Sequence, residues 1–213
     1  MVRVSRLLNS LAAGSAAAVL VPATAGAATL TTDLPCYVDS QPMTISGTGW
    51  PAGAPWDVQS EQVFAFGTTD AAGNFETTSE TAPIIPAIDT KVRTFTLTGQ
   101  TGDQTLATTR FKVVNFLVKP KSSSGRPTGF TSWGFSGFLP GKAIYVHVKR
   151  GKRTWTQRAG KGSKPCGTLR SRLRRLPAVP PSQVRDGKYE VFVDNRKRLS
   201  KGGRQYRATV TIF

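Results

Sequence analysis

Histidine is almost missing from this 213-residue chain, and His147 is the only one. Metal sites built on two imidazoles, and relays that pair histidines, are therefore excluded. Cysteine is nearly as scarce. Cys36 and Cys166 are the only two, too few for a four-thiolate zinc or iron–sulfur centre. Acids are few as well: 12 Asp+Glu stand against 29 Lys+Arg, a formal net charge of +17. No segment sustains an apolar stripe at helical spacing, so a helical bundle is excluded. Hydrophobic residues make up 38% of the chain, which suffices for small β domains and argues against wholesale disorder.

What is present begins with an export signal. Arg3 and Arg6 precede an apolar, small-residue run from Leu7 to Val21, then Pro22 and the small residues Ala25-Gly26-Ala27. A positive n-region, a short apolar core and a small-residue cleavage site predict a secretory signal over residues 1–27, with the mature chain exported. The apolar run is too short for a comfortable membrane span.

The rest alternates with period two. Ile144, Val146 and Val148 alternate with Tyr145 and His147, and Ala208, Val210 and Ile212 with Arg207, Thr209 and Thr211. Phe95 and Leu97, then Phe111 and Val113, do the same among threonines and basic residues. Gly, Pro and Asp break the pattern about every ten residues, which predicts an all-β sandwich architecture. Two halves also match. Ser46-Gly-Thr-Gly-Trp-Pro-Ala-Gly53 corresponds to Ser136-Gly-Phe-Leu-Pro-Gly141, and the hairpin Thr69–Phe75 to Ser163–Leu169. Each half then has a Pro-rich connector and closes on paired strands, Val92–Leu97 with Thr108–Phe116 and Tyr189–Val193 with Arg207–Phe213. These observations predict a first domain over 28–118, a linker over 119–128 and a second domain over 129–213.

A strand ending in Ser-Gly-x-Gly-aromatic, then Pro-x-Gly, then a Thr-Asp-x-x-Gly-Asn-Phe hairpin resembles the bacterial immunoglobulin-like domains of exported, Thr/Gly-rich proteins of actinobacterial type. The resemblance covers the first half well and the second in outline, because Lys and Arg replace its turn residues. It implies two tandem immunoglobulin-like β-sandwich domains in an adhesive, structural or spacer role.

Charge separates the halves. Residues 28–118 carry four cations against nine acids, net −5, whereas residues 119–213 carry 23 cations against Asp186, Glu190 and Asp194, net +20. Such self-repulsion costs stability, so a ligand is expected. The candidate polyanion-binding residues are Lys149, Arg150, Lys152 and Arg153, then Trp155 and Arg158, then Arg170, Arg172, Arg174 and Arg175, and finally Arg196, Lys197 and Arg198. Arginine's planar fork suits bidentate capture of phosphate or carboxylate. The expected partner is an anionic envelope polymer, an anionic lipid or extracellular nucleic acid, with no small-molecule substrate. The alternative is a purely structural or a self-associating surface module, the latter with acidic half against basic half; an exported hydrolase is a remote third.

The remaining residues carry less chemistry. In an oxidising compartment Cys36 and Cys166 are expected to bridge the two domains, with an intermolecular bridge or free thiols as alternatives. Thr168–Leu176 reads as strand and loop rather than as a short basic helix. His147 reads as a surface strand residue, since three acids give it little chance of a catalytic partner. Asp70-Ala-Ala-Gly-Asn74 reads as a turn, without the carboxylate density of a calcium loop, and Asp57 with Glu61 form no glycosidase motif. Trp50 and Trp133 are core candidates, while Trp56 and Trp155 are the better candidates for exposure, with a core position left open for each. No catalytic residue, metal or cofactor is expected.

Overall fold

The structure, a computed structural model, describes residues 27–213 apart from 80, 87, 123 and 201. The expected export signal, up to residue 26, lies outside the described residues. Apart from a 3₁₀ turn at Pro181–Gln183, every regular element among them is a strand.

The first sandwich pairs a three-stranded antiparallel sheet with a five-stranded one. The small sheet has β1 (Thr29–Thr32), β3 (Met43–Thr48) and β6 (Phe75–Ser79) in the order β1-β3-β6. The large one contains β2 (Cys36–Val38), β4 (Pro55–Gln59), β5 (Phe64–Thr68), β7 (Arg93–Thr101) and β8 (Gln104–Val114), in the order β2-β8-β7-β4-β5. β2 runs parallel to β8 while every other pair is antiparallel. Period-two alternation turns Met43, Ile45, Leu97, Phe111 and Val113 inward. Trp50 meets Phe75 edge-on at 5.1 Å and Trp56 stacks on it at 4.1 Å. Each such buried ring contributes roughly 1.5–3 kcal/mol by leaving water. Of the two positions the sequence leaves open to Trp56, it takes the core rather than the favoured exposed one. Its alternation partner on β4 is Val58, which sets the same inward parity.

The second sandwich repeats the plan. One sheet has the order β13-β10-β9, from β9 (Leu117–Pro120), β10 (Phe130–Ser136) and β13 (Leu169–Arg174). The other has the order β12-β11-β14-β15, from β11 (Ala143–Arg150), β12 (Arg153–Lys161), β14 (Gly187–Asp194) and β15 (Tyr206–Ile212). Phe135, Ile144, Val146, Val148, Leu173, Tyr189 and Val191 fill the core between them. The Tyr189 hydroxyl donates to the Arg185 carbonyl at 2.8 Å and accepts the Arg185 N–H at 2.9 Å, the kind of tyrosine corner that immunoglobulin-type sandwiches use. Leu169–Arg174 is a strand, as the alternation of Leu169, Ser171 and Leu173 with three arginines requires.

The repeat is visible in backbone geometry. Gly73 (φ +74°) and Gly167 (φ +62°) occupy matching turns, each pressed against the carbonyl oxygen of a buried aromatic, Trp50 or Phe138. A Cβ at either glycine would collide with that oxygen, so only glycine fits. The first turn is closed by Asp70, whose carboxylate accepts the N–H groups of Ala72 and Asn74, both at 2.8 Å. The bond from Asn74 does most to hold the Asp70 carboxyl below the usual carboxylate range.

One segment departs from its expected role. Lys119 and Pro120, placed in the linker by composition, belong to β9, where they pair with Gly134 and Trp133 of β10. The neighbouring Val118 is buried opposite Phe135, and that apolar contact captures the strand.

Candidate functional site

β13 lays Arg170, Arg172 and Arg174 along one outer face, because Leu173 points into the core and parity sends the arginines outward. On an extended strand alternate residues stand about 7 Å apart. The register with β10 sets Gly134, Ser132 and Phe130 opposite the three arginines in turn. The Arg172 and Arg174 guanidinium groups lie 5.6 and 5.7 Å from the centre of the exposed Phe130 ring. β9 adds Lys119 beside Gly134, and the Lys121 N–H donates to the Ser132 carbonyl at 2.7 Å. The sheet therefore carries five cations along this face, two of them at the Phe130 ring and two, Arg170 and Lys119, at the Gly134 end. There the Lys119 ammonium donates to the Ile88 carbonyl at 3.4 Å, and Thr90 of the first sandwich stands over Gly134. None of the three strands contributes a carboxylate to that face. Charge of one sign on a β-sheet face, with a stacked aromatic beneath the guanidiniums, suits an extended anionic chain.

The structure scatters the other candidates. Arg175 leaves the row: past Leu173 it turns against Gly125 and Gly129, and its Nε is buried without a hydrogen-bond partner. Arg150 lies over the Tyr189 ring at 5.3 Å and donates to the Asp186 carbonyl at 2.8 Å. Lys149 approaches Glu190 at 3.9 Å, and Arg207 pairs with the same carboxylate. Lys152 and Arg153 stand exposed at the β11–β12 hairpin tip, and Arg158 is exposed further along β12. Trp155 is paired with inward-facing Val148, packs against the core and donates to Gln183 at 3.0 Å, so it is no exposed platform. Arg196 is committed to Asp194, while Lys197 and Arg198 are exposed on the β14–β15 loop. Lys119, Lys121 and Phe130 were not among the sequence candidates. Only the pairing of β9 and β10 reveals them.

His147 is fully buried rather than a surface residue. The β14–β15 loop folds over the outer side of its sheet and covers it. Nδ1 lies 2.9 Å from the Thr156 hydroxyl, and Nε2 lies 3.3 Å from Asp194 Oδ1 and 3.1 Å from the Arg196 carbonyl. Asp194 is further held by the Arg196 guanidinium at 2.9 Å and by Gln205 at 3.1 Å. This network pins the loop. Among the described residues no group of three or more His, Cys, Asp or Glu is arranged to hold a metal ion.

Cys36 and Cys166 form a disulfide, their Cα atoms 5.3 Å apart, which ties β2 of the first sandwich to the turn before β13 of the second. Nearby, Tyr37 donates to Asp33 at 2.6 Å and accepts the Leu34 N–H at 2.9 Å. Burial first, and the Asp33 bond second, push its phenol up to about 12.

No protein-family model matches the chain, and no characterised protein matches it in sequence. Among solved structures it is similar to a tetra-tandem repeat from the extending region of a large adhesion protein, at 15% identity and TM-score 0.30 over 87% of this chain and 49% of that one. It is also similar to a Ca²⁺-stabilised adhesin with which an Antarctic bacterium binds ice, at 14% identity and TM-score 0.35 over 87% and 48% of the two chains. A two-domain fibronectin type III segment of chicken tenascin matches at 10% identity and TM-score 0.30, over 86% of this chain and 97% of that one. The chain spans about half the length of those two adhesin chains. Identities and TM-scores this low transfer no function.

Proposed function

We propose that this is an exported, non-enzymatic binding module whose second sandwich holds an anionic polymer of the cell envelope or its surroundings on the β13-β10-β9 face. The observation that carries this reading is the row Arg170, Arg172 and Arg174, with Lys119 and Lys121 alongside and Phe130 beneath the Arg172 and Arg174 guanidiniums. Five such contacts to a single-stranded phosphodiester chain correspond to a slope of log K against log salt of about −3.5. The first sandwich, net −5, then serves as spacer and keeps the polymer on one half of the molecule.

The test compares binding of the whole chain to isolated envelope polymer, anionic vesicles and single-stranded DNA across a salt series. Preference for one polymer beyond its charge density supports recognition by this face. Equal binding to all three, lost at physiological salt, refutes it. Salt-sensitive oligomers without added ligand would instead favour self-association of acidic on basic halves.

A further inference from the structure

A cleft of about 730 Å³ opens between the two sandwiches, beside the Cys36–Cys166 bridge. Its size falls in the range of small-molecule sites. Leu34, Tyr37, Phe116, Phe138, Leu139 and Pro165 make its wall mainly apolar. Leu139 is 60% exposed and Leu34 37%, so apolar surface is left facing water there. Covalent and polar ties fix the segments that line it. The Cys36–Cys166 disulfide forms part of the wall, and the Leu139 N–H donates to Asn195 at 3.0 Å. Next to the lining residues Phe116 and Gly137, the buried Ser136 hydroxyl donates to the Asn115 carbonyl at 2.7 Å.

Its charge is one-sided. Lys164 and Arg204 stand on the rim with no acidic partner among the described residues. Arg204 rests over the Phe116 ring at 5.6 Å and gives one N–H to the Gly137 carbonyl at 3.3 Å, leaving its other donors uncommitted to an anion. The one lining carboxylate, Asp194, is buried and already answered by Arg196 and Gln205, so it does not offset the rim. An apolar wall calls for an apolar body. Two free cations at the mouth call for an anionic head.

We propose that this cleft binds a monomeric amphipathic carboxylate, its apolar body along Leu34, Phe138 and Leu139 and its carboxylate held by Arg204 and Lys164. The site is independent of the basic sheet face, since neither cation belongs to it.

The test titrates the disulfide-bonded chain with dodecanoate, and with dodecanol as the uncharged counterpart, each below its solubility or micelle limit. Affinity is read by calorimetry and location by backbone NMR shifts. The expected result is saturable binding of one equivalent of dodecanoate, with shifts gathered at residues 137–139 and 164–166. Arg204→Gln with Lys164→Gln should weaken dodecanoate about tenfold or more while changing dodecanol less than about twofold. Leu139→Asp should weaken both ligands, and a dispersed NMR spectrum confirms that it folds; should it not fold, the exposed double variant decides alone. The variant Arg170→Ser/Arg172→Ser/Arg174→Ser should bind dodecanoate as the parent does, even if the polymer reading fails. Absence of saturable binding, shifts lying elsewhere, or equal affinity for dodecanoate and dodecanol in the parent would overturn the proposal.

Discussion

Removing the disulfide, by Cys36→Ala with Cys166→Ala, should destabilise the chain by several kcal/mol. The bridge spans 130 residues of sequence. In the chain-entropy model, releasing a loop of that length from the denatured state costs on the order of 5 kcal/mol. If the second sandwich unfolds alone, the freed stretch between β9 and Cys166 is roughly fifty residues, and the same relation gives about 4 kcal/mol. Either route leads to a large loss, because the dependence on length is logarithmic. Urea unfolding followed by tryptophan fluorescence measures it, since Trp50 and Trp56 report the first core, whereas Trp133 and Trp155 pack in the second. Adding reductant to the parent should reproduce the shift without any substitution. A loss below about 1 kcal/mol in both experiments would refute the reasoning. The two sandwiches would then be held together by their contacts alone, or the denatured chain would be too compact for the loop to matter.

Three further outcomes follow from local geometry. Gly73→Ala and Gly167→Ala should each cost more than about 2 kcal/mol, because positive φ and a carbonyl clash combine; Gly102→Ala, at φ +57° with nothing within 4 Å, should cost only about 1 kcal/mol by thermal unfolding. Tyr37 keeps its proton in the folded chain up to about pH 12, whereas the unfolded chain releases it near its ordinary value of about 10. Stability should therefore hold below pH 10 and fall as pH rises towards 12, and Tyr37→Phe should flatten that fall in a pH series of urea titrations. His147→Leu removes the bonds to Thr156, Asp194 and the Arg196 carbonyl, and should cost about 2–4 kcal/mol by urea unfolding.

Much of the architecture was legible because period-two alternation is a local signal. Leu97 on β7, Phe111 on β8, Val146 on β11 and Val210 on β15 all sit where alternation puts them. The glycine-anchored turns were legible too, since Gly73 and Gly167 are the only residues their backbone allows. What escaped depended on contacts remote in sequence. β9 is four residues long, and its role follows from Val118 meeting Phe135, not from the composition of Lys119 and Pro120. His147 has the parity of a surface residue and is buried because the chain after β14 closes over it, with the Arg196 carbonyl at its Nε2 and Gln205 returning to bond its neighbour Asp194. The same limit shaped the basic face. Alternation exposes Arg170, Arg172 and Arg174, but only the register of three strands adds Lys119, Lys121 and Phe130 and removes Arg175.

The most direct test of the polymer reading removes equal charge from two places. Arg170→Ser/Arg172→Ser/Arg174→Ser takes three cations from the sheet face, while Lys152→Ser/Arg153→Ser/Lys197→Ser takes three from exposed loops elsewhere on the same sandwich. Both variants are titrated with single-stranded DNA and with isolated envelope polymer across a salt series. On this account the sheet variant loses about two units of salt slope and the loop variant less than about half a unit. Equal losses in the two variants would mean that the charge acts only in bulk, and would contradict a binding face.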